Sequence, residues 1–196
     1  YDVIISEPSN PWVAGNAGLF SVEFFELVAA RLNEGGVLAQ WIHLYETNDA
    51  MVQMVLRTLH QVFPHVTLWE LFPKDILLVA SAQPMVPDLL SLRERISQPA
   101  IVADLQRVKV GGLSDLLSLQ VMGPVGSAAL AAGAGPVNRD ETPLLEFVAP
   151  RRLYEGKVAT LVDTFDGRRS LVGPLATSDD RLLAAWLSEH RLSVAE

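Results

Sequence analysis

The chain contains no cysteine. That removes disulfides, thiolate nucleophiles and cysteine-held zinc together. Glycine-rich phosphate loops are missing as well. No G-x-G-x-x-G, Walker or G-x-S-x-G string occurs, and Gly123-Pro124-Val125-Gly126 follows a helical stretch instead of a strand. Clustered positive charge is also absent. Lys and Arg total 15 against 23 Asp and Glu, for a net charge of −8. Arg151-Arg152 and Arg168-Arg169 are isolated pairs that read as solvated surface, which excludes nucleic acid as a partner. An acidic balance suits a cationic substrate. Histidine is sparse: His43, His60, His65 and His190 show no metal-ligand spacing, so no metal is expected. His60 and His65 straddle a helix end and read as surface or cap residues. No apolar run approaches the ~20 residues of a membrane span. The longest candidates, at 76–90 and 127–137, are cut by Pro84, Pro87, Gly133, Gly135 and Pro136. With no leader peptide and no initial Met, the segment reads as a soluble, cytoplasmic piece of a longer protein.

What is present is apolar material in regular patterns. Of 196 residues, 49% are hydrophobic, enough for one globular core with a small extension. Val3-Ile4-Ile5 is a short, wholly apolar run, typical of a strand covered on both faces. Ser21 reads as a helix N-cap with Glu23 in the first turn, and Phe24, Leu27, Val28 and Leu32 share a face. Gly35-Gly36 ends that helix, and 37–42 is the next strand. Asn48 or Asp49 caps a second helix with a stripe of Met51, Met54, Val55, Thr58, Leu59 and Val62, stopped by Pro64. Strands at 66–72 and 76–80 are joined at Pro73-Lys74-Asp75 as an antiparallel hairpin. Strand, helix, strand, helix and hairpin predict an α/β fold: part of a doubly wound, Rossmann-like sheet with an antiparallel edge hairpin. Beyond Pro87, short helices are expected at 89–96, 100–108 and 113–121, and 127–135 reads as small and flexible. The expected organisation is a Rossmann-like half at 1–82, a helical extension packed on it at 83–152, and a linker with a terminal helix (179–190) at 153–196.

The loop Glu7-Pro8-Ser9-Asn10-Pro11-Trp12 follows directly on the first strand. Ligands of open α/β sheets sit outside the carboxyl ends of strands. A carboxylate held there between prolines can take a proton or hold an amine; equally, Glu7 can cap a turn while Trp12 plugs the core. Tyr45 and Glu46, after the second strand, lie at the same edge and read as pocket lining. Trp41 and Trp69, on strands, read as core.

The string Tyr1-Asp2-Val3-Ile4-Ile5-Ser6-Glu7-Pro8-Ser9-Asn10-Pro11 resembles the YDVII-x-D-[ST]-x-D-P segment of spermidine synthases, the polyamine aminopropyltransferases. Leu19-Phe20, Gly35-Gly36-Val37-Leu38-Ala39-Gln40, Phe63-Pro64-His65-Val66 and Asp75-Ile76-Leu77-Leu78 continue it in order. Asn138-Arg139-Asp140-Glu141-Thr142-Pro143-Leu144-Leu145-Glu146-Phe147 is similar to a segment of the longer spermidine-synthase-like proteins, in which the domain is often fused to a membrane-embedded region. The resemblance covers residues 1–152.

It implies a transferase moving an aminopropyl group from decarboxylated S-adenosylmethionine, as co-substrate, to a small amine. It places the base on Glu7 and substrate-holding groups on Asn10 and Gln40; Ser9 in the same loop and Tyr45 at the same edge are further substrate-binding candidates. No cofactor is expected on this chain alone, since the nucleotide-binding half lies outside it, and the family's homodimer is the expected assembly. Two residues depart from the pattern. Glu7 is one methylene longer than the usual Asp, and Asn10 is neutral where the family has an acid. The alternatives are a non-catalytic scaffold, or a methyltransferase using S-adenosylmethionine on a small substrate, which the Asn10-Pro11-Trp12 string also resembles. Asp140 and Glu141 are expected to anchor the extension.

Overall fold

The computed structural model describes residues 1–8, 10–85 and 88–162. The helix expected at 179–190 and the Arg168-Arg169 pair lie outside them. The chain begins with β1 (Val3–Ser6), a 3₁₀ turn (Asn16–Phe20), α1 (Val22–Ala29), β2 (Val37–His43) and α2 (Asp49–His60). It continues through β3 (His65–Phe72), β4 (Asp75–Ser81), α3 (Leu89–Ile96), α4 (Pro99–Arg107) and α5 (Leu113–Ser118). It closes with β5 (Gln120–Met122), α6 (Pro124–Ala131) and α7 (Leu144–Arg152).

Local chemistry sets the helix starts. The Ser21 hydroxyl accepts the Phe24 amide at 3.1 Å, and the Asn48 side chain accepts that of Met51 at 3.0 Å. Each satisfies an amide that a helix leaves without an internal partner. Pro124 opens α6, where its missing N–H costs nothing. The stretch read as flexible is therefore largely helical. Its small residues permit close approach to α2, with Gly126, Ser127 and Ala131 buried.

The five strands form one sheet in the order β1-β2-β4-β3-β5. β1 and β2 are parallel, with Val3 opposite Val37 and Ser6 opposite Gln40. The predicted hairpin exists, with Leu68 opposite Leu78. Its second strand lies antiparallel against β2, so β4 is interior to the sheet. β5 then pairs antiparallel with β3. The architecture is a partial Rossmann-like α/β fold. β5 corrects the expectation of a helix running to Val121: the helix stops at Ser118, and the chain pairs with the free side of β3. The Glu70 amide bonds the Leu119 carbonyl at 2.7 Å at this junction. A ladder with a real partner outweighed the helical spacing of leucines.

One sheet face carries the core. Leu38, Ile42, Val66, Leu68, Ile76, Leu78 and Ala80 are buried there with Phe25, Val28, Val52, Leu56, Leu59 and Phe63. The opposite face carries Val3 and Ile5, which are 53% and 73% exposed, and the half-buried Trp41, Leu77 and Val79. Among the described residues, β1 is thus not covered on both faces, and Trp41 and Trp69 are half-buried and outside the core. The Trp69 indole instead donates to the Thr67 hydroxyl at 2.9 Å. Among the described residues, the outer edge of β1 pairs with nothing.

The segment after residue 137 returns to the start of the chain. Asn138 is fully buried, and all its polar groups are engaged. Its amide nitrogen donates to the Ala17 and Phe20 carbonyls at 2.9 and 3.3 Å, and its side-chain oxygen accepts the Leu145 amide at 3.0 Å. Its backbone N–H donates to the Thr58 hydroxyl at 2.9 Å, and its carbonyl accepts from Val22 at 3.0 Å. Further on, Val158 bridges Tyr45, and the Asp49 carboxylate accepts the Thr160 and Leu161 amides at 2.7 and 3.0 Å. Ala159, Leu161 and Val162 join the core.

Candidate functional site

β1 delivers the acidic loop to the carboxyl end of the sheet. Glu7 is exposed there and Pro8 is buried; Ser9 lies outside the described residues. The Asn10 carbonyl accepts the Val13 amide at 3.0 Å and the Asn16 side chain at 3.3 Å, closing a turn. Gly15 has φ of 87°, a conformation open to glycine at little cost. Its amide bonds both carboxylate oxygens of Glu146, at 3.0 and 3.3 Å. The loop is thus shaped by its own turn and by α7.

Trp12 points inward from this loop. Its ring stands edge-on to His43, with centroids 4.6 Å apart and planes at 70°. His43 lies 4.5 Å from Tyr45 at a shallower 31°. The three rings form a contiguous wall at the carboxyl end of β2. His43 is only 4% exposed, and neither ring nitrogen has a hydrogen-bond partner among the described residues. Burial pushes its pKa down to about 4, so the ring is neutral at pH 7. Burial, then the Asp75 and Glu46 carboxylates, raise the pKa of Tyr45 and keep its hydroxyl protonated.

Beneath the loop lies a small cleft with room for about one water-sized group. Pro11, Phe20, Ile42, His43, Thr47, Met51, Val52, Val55 and Leu145 line it. No carboxylate and no cationic side chain is among them.

The predicted site residues separate. The structure sets Glu7 and Asn10 on the loop and Tyr45 beside His43. Gln40 is fully buried on the helix-packed face, across from Ser6. Its amide donates to the Trp41 carbonyl at 3.2 Å, and its oxygen has no partner among the described residues. His43 and Glu146 were not singled out from the sequence. A histidine ending an apolar strand, and a lone acid within Leu144-Leu145-Glu146-Phe147, were the available signals.

Asp140 bonds Glu23 through its backbone amide at 3.0 Å, while Arg139 pairs with the same carboxylate at 3.1 Å. The Asp140 amide first, and Arg139 after it, hold the Glu23 carboxyl below the usual range. Glu141 is exposed. His60 is not a surface residue: it lies half-buried with Nε2 2.6 Å from the buried Ser127 hydroxyl. Burial, then His65, lower its pKa. Among the described residues, no cluster of acids and histidines suits a metal, and no helix is long and apolar enough to cross a membrane.

A mixed sheet whose first strand feeds an acidic loop at its carboxyl end is the layout of a Rossmann-like ligand-binding domain. Residues 1–78 match the family model of the spermine/spermidine synthase domain, and over that stretch the chain is similar to the spermidine synthase-like family. No curated protein matches the chain.

Proposed function

We propose that this chain forms the acceptor side of an aminopropyl transferase. A small amine binds beside Glu7, and the carboxylate takes its proton. The freed lone pair forms a C–N bond at the aminopropyl carbon next to the sulfonium of decarboxylated S-adenosylmethionine. The C–S bond breaks, its electron pair stays on sulfur, and methylthioadenosine leaves. In this reading a nucleotide-binding half outside these 196 residues completes the site, and the chain's own part is orientation and proton removal.

The observation that carries the reading is Glu7 itself. It stands exposed at the carboxyl end of β1, within the family-matched stretch, on the loop that leads to Gly15 and its contact with Glu146. The test is methylthioadenosine release from decarboxylated S-adenosylmethionine by the intact protein, offered a panel of amines. Glu7→Gln should slow release by ~10²–10⁴-fold, the usual contribution of a positioned base. An unchanged rate in that variant removes Glu7 as the base. Formation of S-adenosylhomocysteine from S-adenosylmethionine instead would show methyl transfer.

A further inference from the structure

Asp75 opens β4 directly opposite His43 on β2, so the two side chains leave the same face of the sheet with Cβ atoms about 5 Å apart. Among the described residues, one Asp75 carboxylate oxygen is buried without a hydrogen-bond partner. So are both ring nitrogens of His43, a side chain more than nine-tenths buried. Trp41 shares that face, its ring 5.4 Å from His43, and the Tyr45 ring lies 4.5 Å from the same imidazole. Glu46 adds a second carboxylate and holds φ of 51°, a left-handed conformation uncommon outside glycine. After burial, Asp75 and then Glu46 raise the Tyr45 pKa, which puts both carboxylates within electrostatic reach of its hydroxyl. Among the described residues, neither carboxylate forms an ion pair.

Glu7 belongs to the same face. Val3 and Ile5 lie beside Val37 and Ala39, the alternate positions that lead on to Trp41 and His43, and Glu7 is the next alternate residue of its strand. β2 separates β1 from β4. Two strand spacings across and two residues along put the Glu7 and Asp75 backbones on the order of 12 Å apart.

Resting on the transfer reading above, we infer that Asp75 is a specificity-determining residue: it holds a second, unreactive ammonium of the acceptor, a charge for which neutral Asn10 offers no carboxylate. An ammonium carries three N–H donors and no acceptor. The orphaned Asp75 oxygen and the bare nitrogen of a neutral His43 ring both call for a donor. The neighbouring indole and phenol rings favour a cation at their faces. A hydroxyl in the same place would bring one donor and leave the carboxylate charge unbalanced, and charge-assisted hydrogen bonds are about twice as strong as neutral ones.

The test uses the full chain and three C4 amines: putrescine, 4-amino-1-butanol and n-butylamine. Binding is read from the imidazole NMR signals, with His43 distinguished from the other histidines by its loss in His43→Gln. Putrescine is expected to move the His43 signals and to saturate at a concentration at least tenfold below the two singly charged amines. Asp75→Asn, which keeps the shape and removes the charge, should abolish that preference. Equal saturation by all three amines, a preference that survives Asp75→Asn, or His43 signals that no amine moves, overturns the inference. The comparison among amines needs no variant, so it decides the matter even where Asp75→Asn does not fold. The outcome separates from the transfer reading. Binding that depends on Asp75 while no methylthioadenosine forms would sink only the reaction. Turnover of putrescine at an unchanged KM in Asp75→Asn would sink only the role of Asp75.

Discussion

The Glu146 carboxylate holds the Gly15 amide across 131 positions of sequence, at 3.0 and 3.3 Å to its two oxygens. Gly15 follows the acidic loop by three residues, so a side chain on α7 sets the conformation of a segment at the other end of the chain. Glu146→Ala should leave the core intact, because the contact is exposed, and cost about 1 kcal/mol of global stability. Its larger effect should be local. Amide hydrogen exchange at residues 13–16 should accelerate while the β2 and β4 amides stay protected; uniform acceleration would contradict a local role.

Asn138 should behave differently, since it is fully buried and all its polar groups are used. Asn138→Ala leaves the Ala17 and Phe20 carbonyls and the Leu145 amide without it, and should cost roughly 3 kcal/mol in urea denaturation. Asn138→Asp keeps the acceptor for Leu145 but turns an oxygen toward two carbonyls. That variant should lose further stability as pH rises through carboxylate ionisation. A loss below about 0.5 kcal/mol for the alanine variant would mean that water replaces the side chain.

His43 makes stability depend on pH in a defined window. Its folded-state pKa is depressed from the usual 6.5 to about 4. The unfolded chain therefore takes up a proton first as pH falls. The contribution is complete above pH 6.5, is lost between 6.5 and about 4, and changes no further below. At 1.36 kcal/mol per pH unit the loss is on the order of 3 kcal/mol. His60, depressed in the same direction, adds to the same slope. His43→Gln should flatten much of the decline in thermal midpoint between pH 6.5 and 4. An identical slope in the variant would show that the ring gains solvent or a partner in solution.

The parts of the fold readable from sequence were those written in local chemistry. Ser21 and Asn48 announced their helices because a cap is a property of a few consecutive residues. The β3–β4 hairpin followed from Pro73-Lys74 between two apolar runs. β5 was illegible, because its reason for being a strand is the edge of β3, some 50 residues earlier in the sequence. The site divides the same way. Glu7 could be named from its place after an apolar run. His43 could not, because its neutral state and its place between Trp12 and Tyr45 come from burial. The exposed face of β1 misled most: Val3 and Ile5 carry the composition of an interior strand and are open to solvent.

That open face has a consequence for the colloid as much as for the fold. An edge strand offers unpaired amides and carbonyls to any extended chain, and here Val3 and Ile5 add an apolar surface beside them. For this segment taken alone, the opposing term is long-range repulsion from a net charge of −8. At 0.15 M salt that repulsion reaches only about 8 Å, and at 1 M about 3 Å. Association of the isolated segment should therefore depend on salt. Light scattering should rise with added sodium chloride, and Ile5→Lys should suppress that rise without disturbing the buried side of the sheet.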